Sequence, residues 1–360
     1  MTPTVVAPWH PGCRGTRCHL VVIWWGYAAA LPCGNSRCFV FSFRAMPSDT
    51  RLAAVDLGSN SFRLEIGRFD AGQLRRIEYL KETVRLGGGL DKNGCLSAAA
   101  MAPALACLAR FGQRLAGFAP GQVRAVATQT LREARNRDEF LLPARQALGF
   151  PIEVISGPEE ARLIYQGATH SLPARDERRL VVDIGGRSTE LAVGTGCAPL
   201  HVESCRLGSV AWSMRYFAGG ELSALAFEKA EIAAAAALGE AASACMRACW
   251  ERAYGCSGTI GAVAATLAAA GRAPVPDAID RAGLLWLRKK LIEAGHTERI
   301  RTEGIRDNRK PVIAGGLAVL RAVFELLDIG LMHRAGGALR QGVLYGLMDS
   351  GLDPCHRRVT

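Results

Sequence analysis

The feature that most restricts how this chain can fold is a strand, an acid, a glycine turn and a second strand, and it occurs twice. The fuller copy is Val181-Val182-Asp183-Ile184-Gly185-Gly186-Arg187-Ser188-Thr189-Glu190-Leu191, continued by Ala192-Val193. The other, Leu52-Ala53-Ala54-Val55-Asp56-Leu57-Gly58-Ser59-Asn60-Ser61, runs into a second apolar stretch from Phe62 to Ile66. Apolar, partly β-branched residues before the acid predict a buried strand, and the glycines and small polar residues after it predict a tight turn. A lone Asp-Gly pair is ordinary turn chemistry. Its recurrence at a domain-sized offset, each time opening a three-strand run followed by a helical pattern, implies an internal duplication. Two such lobes facing each other would set two turns and two carboxylates around one cleft.

The residue types suit phosphate. A turn without Cβ atoms lets consecutive backbone N–H groups converge on phosphate oxygens, and a carboxylate at a strand end can hold a hard cation such as Mg²⁺. Ser188 adds a hydroxyl and Glu190 a second acid. Further along lobe one, the strand Val123–Ala127 empties into a segment with Arg132, Arg135 and Arg137, which can clamp phosphoryl oxygens or simply start a solvated helix. Ser156 followed by Glu159, with Pro158 between, reads as a capping box at a helix start. That gives Glu159 a structural task and leaves Glu160 as a candidate for handling water. In lobe two, Leu207-Gly208-Ser209-Val210 is another small-residue turn into a helix. Cys256-Ser257-Gly258-Thr259 places Gly258 at a helix N-terminus, where free N–H groups favour an anion.

At 360 residues, with 49% hydrophobic and 21% charged side chains, the chain can bury two ordinary cores. The expected division is 1–48 as a non-matching N-terminal extension without order, 49–172 as the first lobe, 173–350 as the second and 351–360 as a tail. Residues 1–45 hold four Arg and no acid, and the functional chain is expected to start near Met46. The apolar run Leu20–Ala30 is short for a bilayer span, so no membrane association is expected. The pairs Cys13/Cys18 and Cys33/Cys38 are loosely spaced and lack patterned His partners, so no zinc site is read there. The remaining cysteines are scattered through apolar runs and read as buried free thiols, which points to the cytoplasm. Net charge is +11, and without residues 1–45 there are still 40 basic against 33 acidic side chains. A basic surface suits a polyanion. Without an aromatic-interleaved basic strand or a recognition helix, nucleic acid is not the expected partner, and the Walker A, HExxH, GxSxG and CxxC patterns are missing.

Taken together, AAVDLGSNSFRL, ATQTLREARN, EVISGPEEARLIYQG, LVVDIGGRSTELAVG, LGSV, GCSGTI and GALRQGVLYG, in that order, resemble the exopolyphosphatase/guanosine pentaphosphate phosphatase (Ppx/GppA) family. The resemblance implies an α/β fold of two duplicated ribonuclease H-like lobes with an interlobe cleft, as in the actin–Hsp70–sugar kinase superfamily. It implies Mg²⁺ (or Mn²⁺) at Asp183 and Glu190, with Asp56 as a further acid. It assigns Gly185, Gly186 and Ser188 to the second phosphate loop, and Ser59, Asn60 and Ser61 to the first. Arg132 matches the family's substrate-binding arginine, Glu160 the acid that orients or deprotonates water, and Ser209 a small residue lining the site.

The implied reaction is hydrolysis of a terminal phosphoanhydride, releasing phosphate from inorganic polyphosphate. Guanosine pentaphosphate (pppGpp) is the alternative substrate. A sugar or acetate kinase of the same superfamily would need an acceptor site that the sequence does not identify, and a silent binding protein would not need all the acids. A homodimer is implied by the resemblance alone, and the length matches the short, two-lobe members. One departure stands out: Arg187 replaces a small residue usual in the family's loop. If that position required positive φ, an arginine would cost on the order of 1 kcal/mol; otherwise its guanidinium would be one more phosphate donor.

Overall fold

The computed structural model describes residues 50–352 apart from 71–72 and 174–175. The expectations for residues 1–48, the cysteine pairs among them and the tail beyond 352 lie outside the described residues. In chain order the first half holds β1 (Arg51–Leu57), β2 (Phe62–Asp70), β3 (Gln73–Glu82), α1 (Ala98–Arg114), β4 (Val123–Ala127), α2 (Gln129–Glu133), α3 (Arg137–Leu148), β5 (Ile152–Val154) and α4 (Gly157–Thr169). The second half holds β6 (Arg178–Ile184), β7 (Thr189–Thr195), β8 (Ala198–Cys205), α5 (Ser209–Tyr216), α6 (Ala224–Arg247), β9 (Arg252–Cys256), α7 (Ser257–Ala269), β10 (Ala278–Asp280), α8 (Arg281–Ala294), α9 (Lys310–Leu326), β11 (Leu331–Arg334) and α10 (Leu339–Leu352).

The duplication is visible in the sheets. One has the order β3-β2-β1-β4-β5, and the other, read from its far edge, β8-β7-β6-β9-β11 with β10 added. In both, the first three strands form an antiparallel meander, and the first of them also pairs in parallel with the fourth, β1 with β4 and β6 with β9. The match extends to single residues. Asp56 lies opposite Arg63, and Asp183 lies opposite Glu190 at the same hairpin position. Both second strands shift register at the equivalent glycine, Gly67 and Gly194, the mark of a β-bulge. The two-lobe, ribonuclease H-like architecture is therefore present.

Packing divides the molecule differently from chain order. α4, at the end of the first strand set, packs on β7 and β8 of the second sheet, while α10, at the chain's far end, packs on β1 and β4 of the first. The two helices touch each other, and their buried faces share one apolar cluster with both sheets, including Leu52, Ala54, Val181, Ala192, Leu163, Ile164 and Val343. The two strand sets thus separate between α4 and β6, whereas the packing crosses that point. Each sheet's other face has its own core, around Phe62, Phe111 and Phe140 in the first and around Trp212, Phe227 and Phe324 in the second.

One local expectation changes. Ser156 Oγ does accept the Glu159 N–H at 3.2 Å, but the Glu159 carboxylate turns to Arg124 and Arg162, so only half of the capping box forms. The Ala-rich helix α6 ends at Arg247, and two residues on Cys249 adopts a left-handed φ of 49° that a helix does not continue through.

Candidate active site

Each glycine turn sits at the C-terminal end of the first strand in its sheet, and its carbonyls are tied back from the cleft. In lobe two, Gly185 O accepts Ser209 N at 2.9 Å and Ser209 Oγ at 3.0 Å, and Gly186 O accepts Val210 N at 2.8 Å. In lobe one, Ser59 O accepts Gly87 N at 2.7 Å and Asn60 O accepts Arg85 N at 3.0 Å. With the carbonyls engaged, the turn N–H groups of Ser59, Asn60, Gly186 and Arg187 have no acceptor among the described residues. That is the arrangement of an anion-binding nest. The turns meet tip to tip, since a Cβ on Gly186 would lie 3.0 Å from the Ser59 Cβ.

Between them is a cavity of about 290 Å³. It is lined by eleven of the predicted residues: Asp56, Ser59, Asn60 and Ser61 from lobe one, Glu160 from α4, and Asp183, Gly185, Gly186, Ser188, Ser209 and Gly258 from lobe two. Ser61 Oγ is buried beside this space and has no partner among the described residues, so it is a hydroxyl ready for an oxygen ligand.

The three others lie behind the lining. Glu190 is buried next to Asp183 and accepts from Ser204 Oγ at 2.9 Å. Arg132 does not reach the cavity: Nη1 donates to Glu160 Oε2 at 2.7 Å and to Ile155 O at 3.0 Å, while Nε and Nη2 donate to Gln129 Oε1. Arg187 corrects both expectations made for it. It is not among the residues with positive φ, so the turn carries no penalty of that kind. Its guanidinium faces away from the cavity, toward Glu133 Oε2 at 2.7 Å and Gly87 O at 3.0 Å.

The sheets also place residues that sequence reasoning did not assign to the site. Across lobe one's strands run Asp56, Arg63 and Lys81, each opposite the next; the equivalent row in lobe two is Asp183, Glu190 and Ser204. One wall is therefore cationic beyond its first acid, the other acidic. Arg63 pairs with Asp56 at 2.8 Å. Arg340, at the start of α10, lies 3.7 Å from Asp56 and bonds Glu65, which is buried and also accepts two bonds from Gln341. Arg309 lies against Gly258, where any Cβ would collide with its guanidinium. The sequence could have flagged Arg63, which occupies the duplicate position of Glu190, and Arg340 within GALRQG. Nothing local marks Lys81 or Arg309.

The carboxyls respond to this crowding. Burial raises Glu160 to about 7, opposed by Arg132 and reinforced by Asp56 and Asp183. Asp183 rises to about 6, again chiefly by burial, with the Cys256 thiol and Arg63 pulling the other way. Glu190 is pushed well above its usual range by burial and then by Glu160 and Asp183. Among the described residues no group of three or more His, Cys, Asp or Glu forms a closed metal cage. Mg²⁺ is commonly held by one or two carboxylates, with water and substrate phosphate completing its shell. Two adjacent buried carboxylates beside the glycine turns fit that kind of site.

Known proteins share this architecture. The chain is similar to an exopolyphosphatase from Cytophaga hutchinsonii, with 25% identity and a TM-score of 0.75 over 84% of this chain and 98% of that one. It is also similar to the PPX-GPPA enzyme of Aquifex aeolicus, with 25% identity and a TM-score of 0.67 over 82% of this chain and 99% of that one. A sequence profile of the Ppx/GppA phosphatase family matches residues 66–351. With the paired glycine turns, the shared fold and this match along most of its length, the chain belongs to the Ppx/GppA phosphatase family of hydrolases.

Proposed function

We propose that the chain is an exopolyphosphatase that releases the terminal phosphate of inorganic polyphosphate by hydrolysis. The observation that carries this reading is the cavity lining. Beyond the phosphate turns it offers the cations Arg63, Lys81, Arg309 and Arg340. Its one aromatic side chain, Tyr79, already has the Arg76 and Arg340 guanidiniums against its ring, at 5.2 and 5.1 Å from the centroid, which leaves a nucleobase little to stack on. A chain of phosphates needs cations and no base pocket. The similarity to the Cytophaga exopolyphosphatase supports the same reading.

In this mechanism the N–H groups of Ser59, Asn60 and Gly186 and the hydroxyls of Ser61 and Ser188 bind the terminal phosphoryl oxygens. Asp183 and Glu190, with Asp56 as a further acid, would hold Mg²⁺ or Mn²⁺, which supplies charge neutralisation on those oxygens. Lys81, Arg309 and Arg340 bind the following phosphates. Arg132 anchors one oxygen of Glu160, and the other is left to orient a water for in-line attack. A carboxyl near 7 can take the proton at neutral pH, though positioning contributes more than deprotonation to phosphoryl transfer.

The test is phosphate release with Mg²⁺ from polyphosphate of graded length, beside pppGpp, with Glu160→Gln as control. Release from polyphosphate that falls about 10²-fold or more in the variant and stops with chelator is the expected result. A preference for pppGpp would transfer the assignment to the nucleotide phosphatase, and release from neither would overturn the reading.

A further inference from the structure

A continuous set of hydrogen bonds runs from the lobe-two turn, through lobe one, to the candidate acid. Arg187 Nε donates to Glu133 Oε2 at 2.7 Å. The other oxygen of Glu133 accepts Gln129 Nε2, also at 2.7 Å. Gln129 Oε1 in turn accepts Arg132 Nε at 2.9 Å and Nη2 at 2.7 Å, and Arg132 Nη1 donates to Glu160 Oε2 at 2.7 Å. Glu133, Gln129 and Arg132 all belong to α2, a single short turn of helix, whereas Arg187 comes from the opposite lobe.

A second bond, from Arg187 Nη1 to Gly87 O at 3.0 Å, ties the same side chain to the segment whose amide holds the Ser59 carbonyl. The fit is close on all sides. A Cβ on Gly87 would lie 2.9 Å from Arg187 Cδ, from Ser59 Cβ and from Thr130 Oγ1. Arg187 and Glu133 are each only about one-fifth exposed, so their pairing is less screened than that of a surface ion pair.

We infer that Arg187 is a positioning residue: it fastens the two lobes across the cleft and, through Glu133 and Gln129, orients Arg132 and hence Glu160. The bonding pattern has a direct consequence. With Arg187 withdrawn, Glu133 keeps only Gln129, the Gln129 amide loses its reason to present Oε1 to Arg132, and the guanidinium that holds Glu160 can turn. Proper placement of the acid then depends on the lobes being closed. The cationic wall of Arg63, Lys81, Arg309 and Arg340 makes no bond to Arg187, so the effect should fall mainly on turnover rather than on binding.

The kinetic part rests on the proposed hydrolysis, and the experiment keeps the two apart. Arg187→Gly, Glu133→Ala and the double variant would be compared for kcat and KM of phosphate release from polyphosphate. In parallel, hydrogen–deuterium exchange would be followed over residues 85–89 and 128–133. Each single variant is expected to lose about tenfold in kcat, equivalent to about 1.4 kcal/mol, with KM within threefold of the parent. The double variant should be no worse than the singles, because both break one connection. Arg187→Lys should recover part of the loss. Exchange should accelerate in both segments, while residues 224–247 stay unchanged.

Additive losses, an unaltered kcat, or a rise in KM alone would overturn the inference, the last returning Arg187 to substrate contact. If the parent itself releases no phosphate, the proposed function fails instead, and the exchange data still decide whether Arg187 fastens the lobes: unchanged exchange in Arg187→Gly would refute it.

Discussion

Lys81 shows how one residue can set a pH response. Partial burial, together with the neighbouring Arg309 and Arg63, draws its ammonium down to about 8. A lysine with a lowered pKa is charged below that value and neutral above it, so its attraction for an anion is present at neutral pH and fades through about 8. KM for polyphosphate is expected to climb roughly three- to tenfold between about pH 7 and about pH 9.5. Lys81→Arg, whose guanidinium stays charged, should keep KM flat; a variant with the parent's profile would remove Lys81 from the substrate's path. Glu160 has the opposite sign. Its carboxyl rises from 4.5 to about 7 on folding, so in metal-free protein the folded chain retains a proton that the unfolded chain releases. Its contribution to stability is greatest below about 4.5 and declines, by about 3 kcal/mol, as pH rises toward 7. Urea denaturation across that range should show a shallower slope in Glu160→Gln than in the parent, the remainder coming from Asp183 and Glu190, which burial also raises.

At the scale of elements, the glycine turns depend on the helices beside them. The first amides of α5 hold the carbonyls of Gly185 and Gly186, and this requires close approach at Gly208. A Cβ there would lie 2.6 Å from Arg187 N and from the Gly186 carbonyl carbon, both backbone atoms that cannot rotate aside. Gly208→Ala is therefore expected to displace the turn, lowering kcat/KM at least about tenfold and stability by about 1–3 kcal/mol. Gly121→Ala, where a Cβ meets nothing within 4 Å, serves as the control and should change neither. Steady-state kinetics with thermal denaturation separates the two variants, and equal behaviour would refute the packing argument.

For the molecule as a whole, the crossed helices α4 and α10 join the lobes. Gly167 and Gly342 let their backbones touch: a Cβ on either would collide with the main chain of the other helix. Glu160 sits in the first turn of α4 and Arg340 in the first turn of α10, so the separation of these helices also sets the distance between acid and cation. Gly342→Ala should force the pair apart, costing about 2 kcal/mol or more and reducing phosphate release at temperatures where the protein is still folded. A variant with a full Tm and full activity would show that the glycine contact is dispensable.

What could be read from the sequence alone was what local spacing encodes. The two Asp–Gly turns, their flanking strands and the carboxylates at their ends follow from residue types within a dozen positions of each other. Duplication then implied two lobes around one cleft. The helix over α8 went unread, although Asp280 caps it through a bond from Gly283 N, because the segment lacks a motif to draw attention to it. Tertiary structure decided the rest. Lys81 reaches the cavity through strand register, and Arg309 through a helix start some fifty residues beyond Gly258. Arg132 and Arg187 carry long, multivalent guanidiniums whose partners are chosen by whatever the fold brings within 3 Å. For Arg187 those partners are Glu133 and Gly87, in the other lobe. A short turn dictates its own backbone and so is written in its own residues, whereas a flexible charged side chain takes its role from neighbours that only the packed chain supplies.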